Sequence, residues 1–340
     1  MEASHLARIL KKTSERSIPI VALWELTTHC NLRCRHCYLA GVPAGPELGE
    51  AGHFLIIEKL REFGVLFLIF TGGEVFALPH FLDLARRAVE LDFAVKVLTN
   101  GTLVDEHRAD ALASVRPLSV EVSILGREAT HDALTGVAGS YRGAVAALRA
   151  LARRGVRVAV KMPLMRPNRD DFPHVEELAG QLGADFLYDP QIVPSRDDRG
   201  AADGLRLDEG QMLDFLERFR GRPCGRPPSR LLCNAARNSF VIRATGDAAP
   251  CVLLPMSMGN VLASELGEIW DSPVARKMRS MGPEDLPECS GCGLAGVCCR
   301  CPAMAYLEGA DMAGRSETAC AMARAYSKWA KGQRQGGGFL

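Results

Sequence analysis

Short apolar, β-branched runs take turns with longer amphipathic ones along most of the chain. That alternation is expected of strand and helix units built round a parallel sheet. Strands are predicted at 21–26 (VALWEL), 66–70 (LFLIF), 94–98 (AVKVL), 118–124 (LSVEVSI), 156–162 (VRVAVKM) and 185–193 (DFLYDPQIV). Helices fit between them at 50–63, 79–91, 104–114, 140–154 and 170–182, and Gly64, Gly155 and Gly183 stand where helices would stop. Six such units fall short of the eight of a closed barrel. After residue 193 the rhythm breaks: a polar connector (PSRDDRGAADG) leads to one helix near 207–220, then to a region rich in Gly, Pro and Cys, with a boundary near 222. A small region of that composition buries little apolar surface and needs covalent or metal staples. The ending GQRQGGGFL reads as mobile.

Composition narrows the function. The 340 residues are 47% hydrophobic, and 41 Lys and Arg against 40 Asp and Glu leave a net charge of +1, so no face gathers the positive field a dedicated nucleic-acid binder needs. MEASHLARIL lacks the basic and apolar regions of a signal peptide, and no apolar stretch reaches the ~18 residues of a membrane span, so a cytoplasmic protein with no membrane partner is expected. In a reducing compartment twelve cysteines read as metal ligands rather than a disulfide framework. They fall into two groups: Cys30, Cys34 and Cys37, then nine between Cys224 and Cys320.

The first group, THCNLRCRHCY, has the i, i+4, i+7 spacing of a helical stripe, but Asn31, Arg33, Arg35 and His36 fill its gaps and leave little apolar company for buried thiols. Random placement predicts roughly 0.015 such triplets in a chain like this. A structural zinc asks for four ligands, with His36 as a cramped fourth. Three thiolates on one loop suit an iron–sulfur cluster better, and in a four-iron cluster they leave one iron open to chemistry.

CxxxCxxC after the first strand resembles the signature of the radical S-adenosylmethionine (SAM) enzymes, and the likeness runs from about Val21 to Val193. It implies a partial (β/α)6 TIM-type barrel, within an α/β chain, whose open iron is chelated by the amino and carboxylate groups of SAM. TGGEV after the second strand is similar to the family's GGE motif: Gly72 and Gly73 let backbone approach a ligand, and Glu74 offers an anion to an ammonium group. Val75 stands where the family usually has Pro. Thr99 and Asn100 resemble the family's TNG turn, Ser123 a ribose contact, and His36 the position whose backbone touches adenine. SILG replaces the commoner SLDG, with Leu125 at the acidic position.

In the second group, Cys233-x12-Gly246-x4-Cys251 precedes Cys289-x2-Cys292-x5-Cys298 and Cys320. Read without the resemblance, these are two zinc or iron–sulfur sites stapling a small domain. Their order resembles the SPASM extension, a small C-terminal cysteine-rich domain with two auxiliary iron–sulfur clusters; GN at 259–260 and EIW at 268–270 add to the likeness. It implies one [4Fe-4S] cluster on Cys289, Cys292, Cys298 and Cys320. The other, [4Fe-4S] or [2Fe-2S], would take Cys233, Cys251 and two of Cys224, Cys299 and Cys301. The organisation expected is an N-terminal extension 1–20, a barrel 21–205, a linker helix 206–222, a SPASM domain 223–330 and a flexible tail 331–340.

By resemblance the chain forms a 5′-deoxyadenosyl radical that abstracts hydrogen from a peptide, cross-linking or epimerising a ribosomally made precursor. A tetrapyrrole or other small metabolite is the alternative substrate, and a non-radical iron–sulfur electron-transfer or sensor protein the alternative class. A reductant such as flavodoxin or ferredoxin is implied. Only about twenty residues precede the first strand, so leader recognition is expected from a separate protein or by direct capture. The arginines at 218, 220, 222, 226 and 230 read as a solvated connector rather than a peptide site. Among Glu25, Glu121, Tyr188 and Asp189, Asp189 is the candidate catalytic acid–base group. Lys161, His131 and Asp132 read equally well as structural.

Overall fold

The computed structural model describes residues 5–42, 45–195, 204–219 and 233–335, with residues 334 and 335 described by their backbone alone. Its elements run α1 (His5–Glu15), β1 (Val21–Glu25), α2 (Glu50–Glu62), β2 (Phe67–Thr71), α3 (Phe81–Glu90), β3 (Ala94–Thr99), α4 (Glu106–Val115) and β4 (Ser119–Ser123). Then follow α5 (Glu128–Thr135), α6 (Ser140–Arg153), β5 (Val158–Pro163), α7 (Phe172–Gln181), β6 (Asp185–Asp189) and α8 (Glu209–Phe219). The C-terminal region adds β7 (Ser239–Ile242), β8 (Asp247–Ala249), β9 (Gly259–Asn260), α9 (Leu266–Trp270), α10 (Pro273–Ser280), α11 (Pro302–Gly309) and α12 (Glu317–Gln335).

Nine strands form one sheet in the order β6-β5-β4-β3-β2-β1-β7-β8-β9. β1 to β6 are parallel, β7 joins β1 in parallel, and β8 and β9 complete an antiparallel hairpin edge. Side chains alternate across each strand. One set, including Trp24, Leu68, Phe70, Val97, Val122 and Val160, is buried in the main core. The other set faces inward, and Leu23 of β1 and Asp189 of β6 line the same cavity, so the run of strands from β1 to β6 curls round one interior. That is the curvature of the expected partial barrel.

The structure matches the six expected strands and the helices between them to within a few residues, except that β6 ends at Asp189 rather than running on to residue 193. Gly64, Gly155 and Gly183 do follow α2, α6 and α7, with φ of +89°, +73° and +60°. Helix α5 was not expected: eight residues following SILG carry too little periodicity to register. The sheet also continues through β7 to β9, across the boundary expected near 222. Helix α12 runs to Gln335, into the stretch expected to be a flexible tail. The predicted ligand Cys224, and the arginines at 220, 222, 226 and 230, lie outside the described residues. No helix among the described residues is long and apolar enough to cross a membrane.

Candidate active site

The site is built from the loops at the carboxyl ends of the strands, where parallel α/β folds gather their chemistry. Directly after β1, Glu47 ties down Thr27 and Thr28: it accepts from the Thr27 hydroxyl at 2.6 Å and the Thr28 amide at 2.6 Å. Burial works to raise its pKa, but these hydrogen bonds prevail and hold the carboxyl below its usual range. The loop carrying Cys30, Cys34 and Cys37 then leans on α5, the Arg33 amide donating to Thr135 O at 2.8 Å and the Arg35 amide to Leu134 O at 2.9 Å. Burial, with Cys37 and Cys30 close by, pushes the Cys34 thiol up to about 12.

The loop after β2 lies against this segment at backbone distance. A Cβ on Gly72 would fall 2.4 Å from Thr27 O, and one on Gly73 would fall 2.2 Å from His29 O. Only glycine fits, and at Gly72 a φ of +133° adds a conformational reason. Gly73 N donates to Thr27 O at 2.7 Å and Glu74 N to His29 O at 2.9 Å, which seams the two loops together.

Glu74 turns inward and is 1% exposed. It accepts from the Thr99 hydroxyl at 2.6 Å, the Asn100 amide at 2.7 Å and the Phe76 amide at 3.1 Å. The cause is geometric: the fixed backbone of Gly73 aims the next side chain at the turn after β3, whose donors engage both oxygens. Glu74 thus fastens the Thr99–Asn100 turn to the GGE loop, while Gly72 and Gly73 themselves face the site. The turn reaches on toward the cysteines, Asn100 Nδ2 lying 3.7 Å from Cys30 Sγ.

Cys30, Cys34, Cys37, His36, Gly72, Gly73, Thr99, Asn100, Ser123 and Asp189, scattered over 160 residues of sequence, line one cavity of about 750 Å³. Burial, and after it the neighbouring His131, lower His36 to about 4. His131 is also on the wall, lowered by burial to about 4; its Nδ1 accepts from the Leu125 amide at 3.1 Å, while its buried Nε2 has no partner. Asp189 takes a hydrogen bond from the Gln191 amide at 2.8 Å, and enclosure by the walls raises its pKa. Glu121 is held by Lys96 at 2.7 Å. Tyr188 points the other way, edge-on to Phe172 at 5.1 Å, Glu25 is buried off the cavity wall, and Asp132 caps the start of α6 through the Tyr141 and Gly139 amides. Glu47 and the α5 contacts escaped sequence reasoning, since nothing in GPELGE marks an anchor for a distant loop.

The remaining thiols form two sets. Cys298 has Cys320, Cys289 and Cys292 as its charged neighbours, the grouping the resemblance implied. Cys251, pushed up to about 12 by burial, neighbours Cys301 and Cys233, which places Cys301 in the second set. Cys299 stands in a disulfide and is grouped with neither set of free thiols. The residues after Cys251, Val252 and Leu253, line the main cavity, so this second set lies beside it. No group of three His, Cys, Asp or Glu among the described residues is gathered as a site for a single ion.

Residues 24–179 match the family model of the radical SAM superfamily, and residues 233–293 that of the SPASM iron–sulfur cluster-binding domain. The chain belongs to the radical SAM enzymes that carry a SPASM domain. Its cofactors are SAM and the iron–sulfur clusters of those two regions. Pre-heme d1 synthase of Dinoroseobacter shibae is 36% identical over 175 residues, 51% of this chain and 43% of that relative, so the match spans less than half of it. The antilisterial bacteriocin subtilosin biosynthesis protein AlbA of Bacillus subtilis is 27% identical over 316 residues, covering 87% of this chain and 69% of the relative. The fold is similar to Streptococcus suis SuiB bound to precursor peptide SuiA, with a TM-score of 0.70 at 16% identity, over 92% of this chain and 80% of that one.

Proposed function

We propose that this enzyme abstracts hydrogen from a side chain of a ribosomally made peptide and leaves the peptide cross-linked or epimerised. With SAM and the reduced cluster in place, reductive cleavage of the sulfonium supplies a 5′-deoxyadenosyl radical. On the wall of that cavity Cys30, Cys34 and Cys37 would hold the cluster, the Gly72–Gly73 backbone and the Thr99–Asn100 turn would bracket SAM, and Ser123 would contact its ribose. The apolar wall of Leu23, Leu98, Ile192 and Leu253 keeps water from the radical. Asp189, its pKa raised, is placed to take or return a substrate proton. The auxiliary set beside the cavity is placed to accept the electron left on the substrate, and a flavodoxin or ferredoxin would supply the first one.

The observation that carries this reading is the convergence of all these groups on one cavity of about 750 Å³. Pockets that take drug-sized ligands run to about 300–1,000 Å³, so this one is of a size to take SAM with part of a substrate beside it. AlbA and the peptide-bound SuiB structure support a peptide in kind. The second reading, a tetrapyrrole, is favoured by the identity to pre-heme d1 synthase. Anaerobically reconstituted enzyme, given SAM, dithionite and a short precursor peptide encoded beside its gene, should release 5′-deoxyadenosine and alter the peptide by mass spectrometry or chiral analysis. Absence of 5′-deoxyadenosine overturns the radical reading; consumption of coproporphyrin III in place of the peptide transfers it to the tetrapyrrole.

A further inference from the structure

Across the cavity from the cysteine loop the wall carries a cation with no assigned task. Lys161 on β5 stands in register with Ser123 of β4 on one side and Leu187 of β6 on the other. Side-chain alternation puts it on the same inner face as Ser123, Glu121 and Asp189. It lines the cavity, yet no hydrogen bond or ion pair engages its ammonium among the described residues. Of the acids facing it, Glu121 is paired with Lys96 at 2.7 Å, while Asp189 takes the Gln191 amide at 2.8 Å. Asp189 senses the lysine charge but lies beyond ion-pair distance of it. The imidazole of His131 on the wall is neutral near pH 7 because burial lowers it to about 4. The wall's other cation, Arg33, lies on the cysteine loop. A partly enclosed ammonium with no anion of its own attracts one from the ligand, because charges in such a site are screened far less than at the surface.

We propose that Lys161 binds a carboxylate of the substrate, that of an aspartate or glutamate residue beside the carbon that loses hydrogen. This deepens the peptide reading and rests on it for the cavity's being the substrate site. A tetrapyrrole propionate offers the same chemistry, so the test separates the two sources.

Reconstituted holoenzyme with SAM bound is titrated calorimetrically with N-acetyl-Ala-Glu-Ala-amide and with its Gln counterpart. In parallel it is titrated with coproporphyrin III and with the tetramethyl ester. The Glu peptide should bind at least about tenfold more tightly than the Gln peptide, the usual effect of a hydrogen bond to a charged group. That preference should vanish in Lys161→Met and return in Lys161→Arg, with iron content reporting that each variant is folded. Equal affinities for the two peptides in the wild type, including no binding of either, overturn the proposal, as does a preference that survives Lys161→Met. Lys161-dependent preference for coproporphyrin III over its ester, without discrimination between peptides, keeps the carboxylate contact and overturns the peptide source. None of these readings depends on 5′-deoxyadenosine release, so failure of the carboxylate contact and failure of the radical reading are told apart.

Discussion

Glu74 is a motif residue whose place is legible in sequence and whose hydrogen-bond partners are not. Its position after β2 follows from sequence, but the direction of its side chain depends on the loops Gly72 and Gly73 allow to meet. Glu74→Gln keeps the shape and spoils the pairing, because one oxygen cannot replace two and the amide nitrogen would oppose a backbone N–H. An unsatisfied buried donor costs about 1–3 kcal/mol. The variant should melt earlier by that amount and bind SAM more weakly, with Cys30, Cys34 and Cys37 still retaining iron; unchanged SAM affinity in equilibrium dialysis would show the Thr99–Asn100 turn to be held by other means. The auxiliary thiols allow a paired test. Cys301 neighbours Cys251, whereas Cys299 has a covalent partner. Cys301→Ser should lower iron from about twelve per chain, or about ten with one two-iron cluster, and Cys299→Ser should leave the total unchanged. Equal iron losses from both variants would remove the distinction drawn between them.

The strands and loops decide whether the cysteine triplet becomes a site. Strands of five or six residues are legible because each carries its own signal: hydrophobic density, then a turn. The motif residues were legible for the same reason. What the sequence hid are couplings between elements. Helix α5 is too short to show a period, yet its last carbonyls carry the cysteine loop. Glu47 lies outside every motif, and only folding sets it under Thr27 and Thr28. Since hydrogen bonding depresses its folded pKa below the unfolded value, Glu47 contributes stability that is present above the ordinary glutamate range and is lost as pH falls through it, toward the lower folded pKa. Melting of the cluster-free protein between pH 6 and pH 3 should therefore fall less steeply in Glu47→Gln than in the wild type, from a lower starting point. Parallel pH profiles would deny Glu47 that role. Gly73→Ala is the stronger perturbation: a Cβ 2.2 Å from His29 O must push the two loops apart. It should cost about 1–3 kcal/mol and loosen the cluster loop, read as faster iron loss to a chelator.

At the scale of the whole molecule, the two regions distinguished by composition share a sheet. β7 covers the edge of β1 that β2 leaves bare, and Asn238 O accepts from the Ile20 and Val21 amides at 3.1 and 3.0 Å. Behind it Phe240 packs between Phe63 at 6.5 Å and Trp270 at 5.9 Å, and the Trp270 indole donates to Ser17 O at 2.9 Å. Lys59 of α2 reaches across to Val261 O at 2.9 Å. A fragment of residues 1–219 would lose all of these contacts and expose β1 as an unpaired edge beside an uncovered apolar surface, the condition that drives strand-to-strand aggregation. It would also lose Val252 and Leu253 from the cavity wall, opening the radical site to water. The full chain should therefore unfold in one transition by calorimetry, whereas the fragment should aggregate or fail to retain its cluster. A monomeric, folded fragment that binds SAM as the full chain does would mean that the auxiliary region is an attachment and not a wall of the barrel.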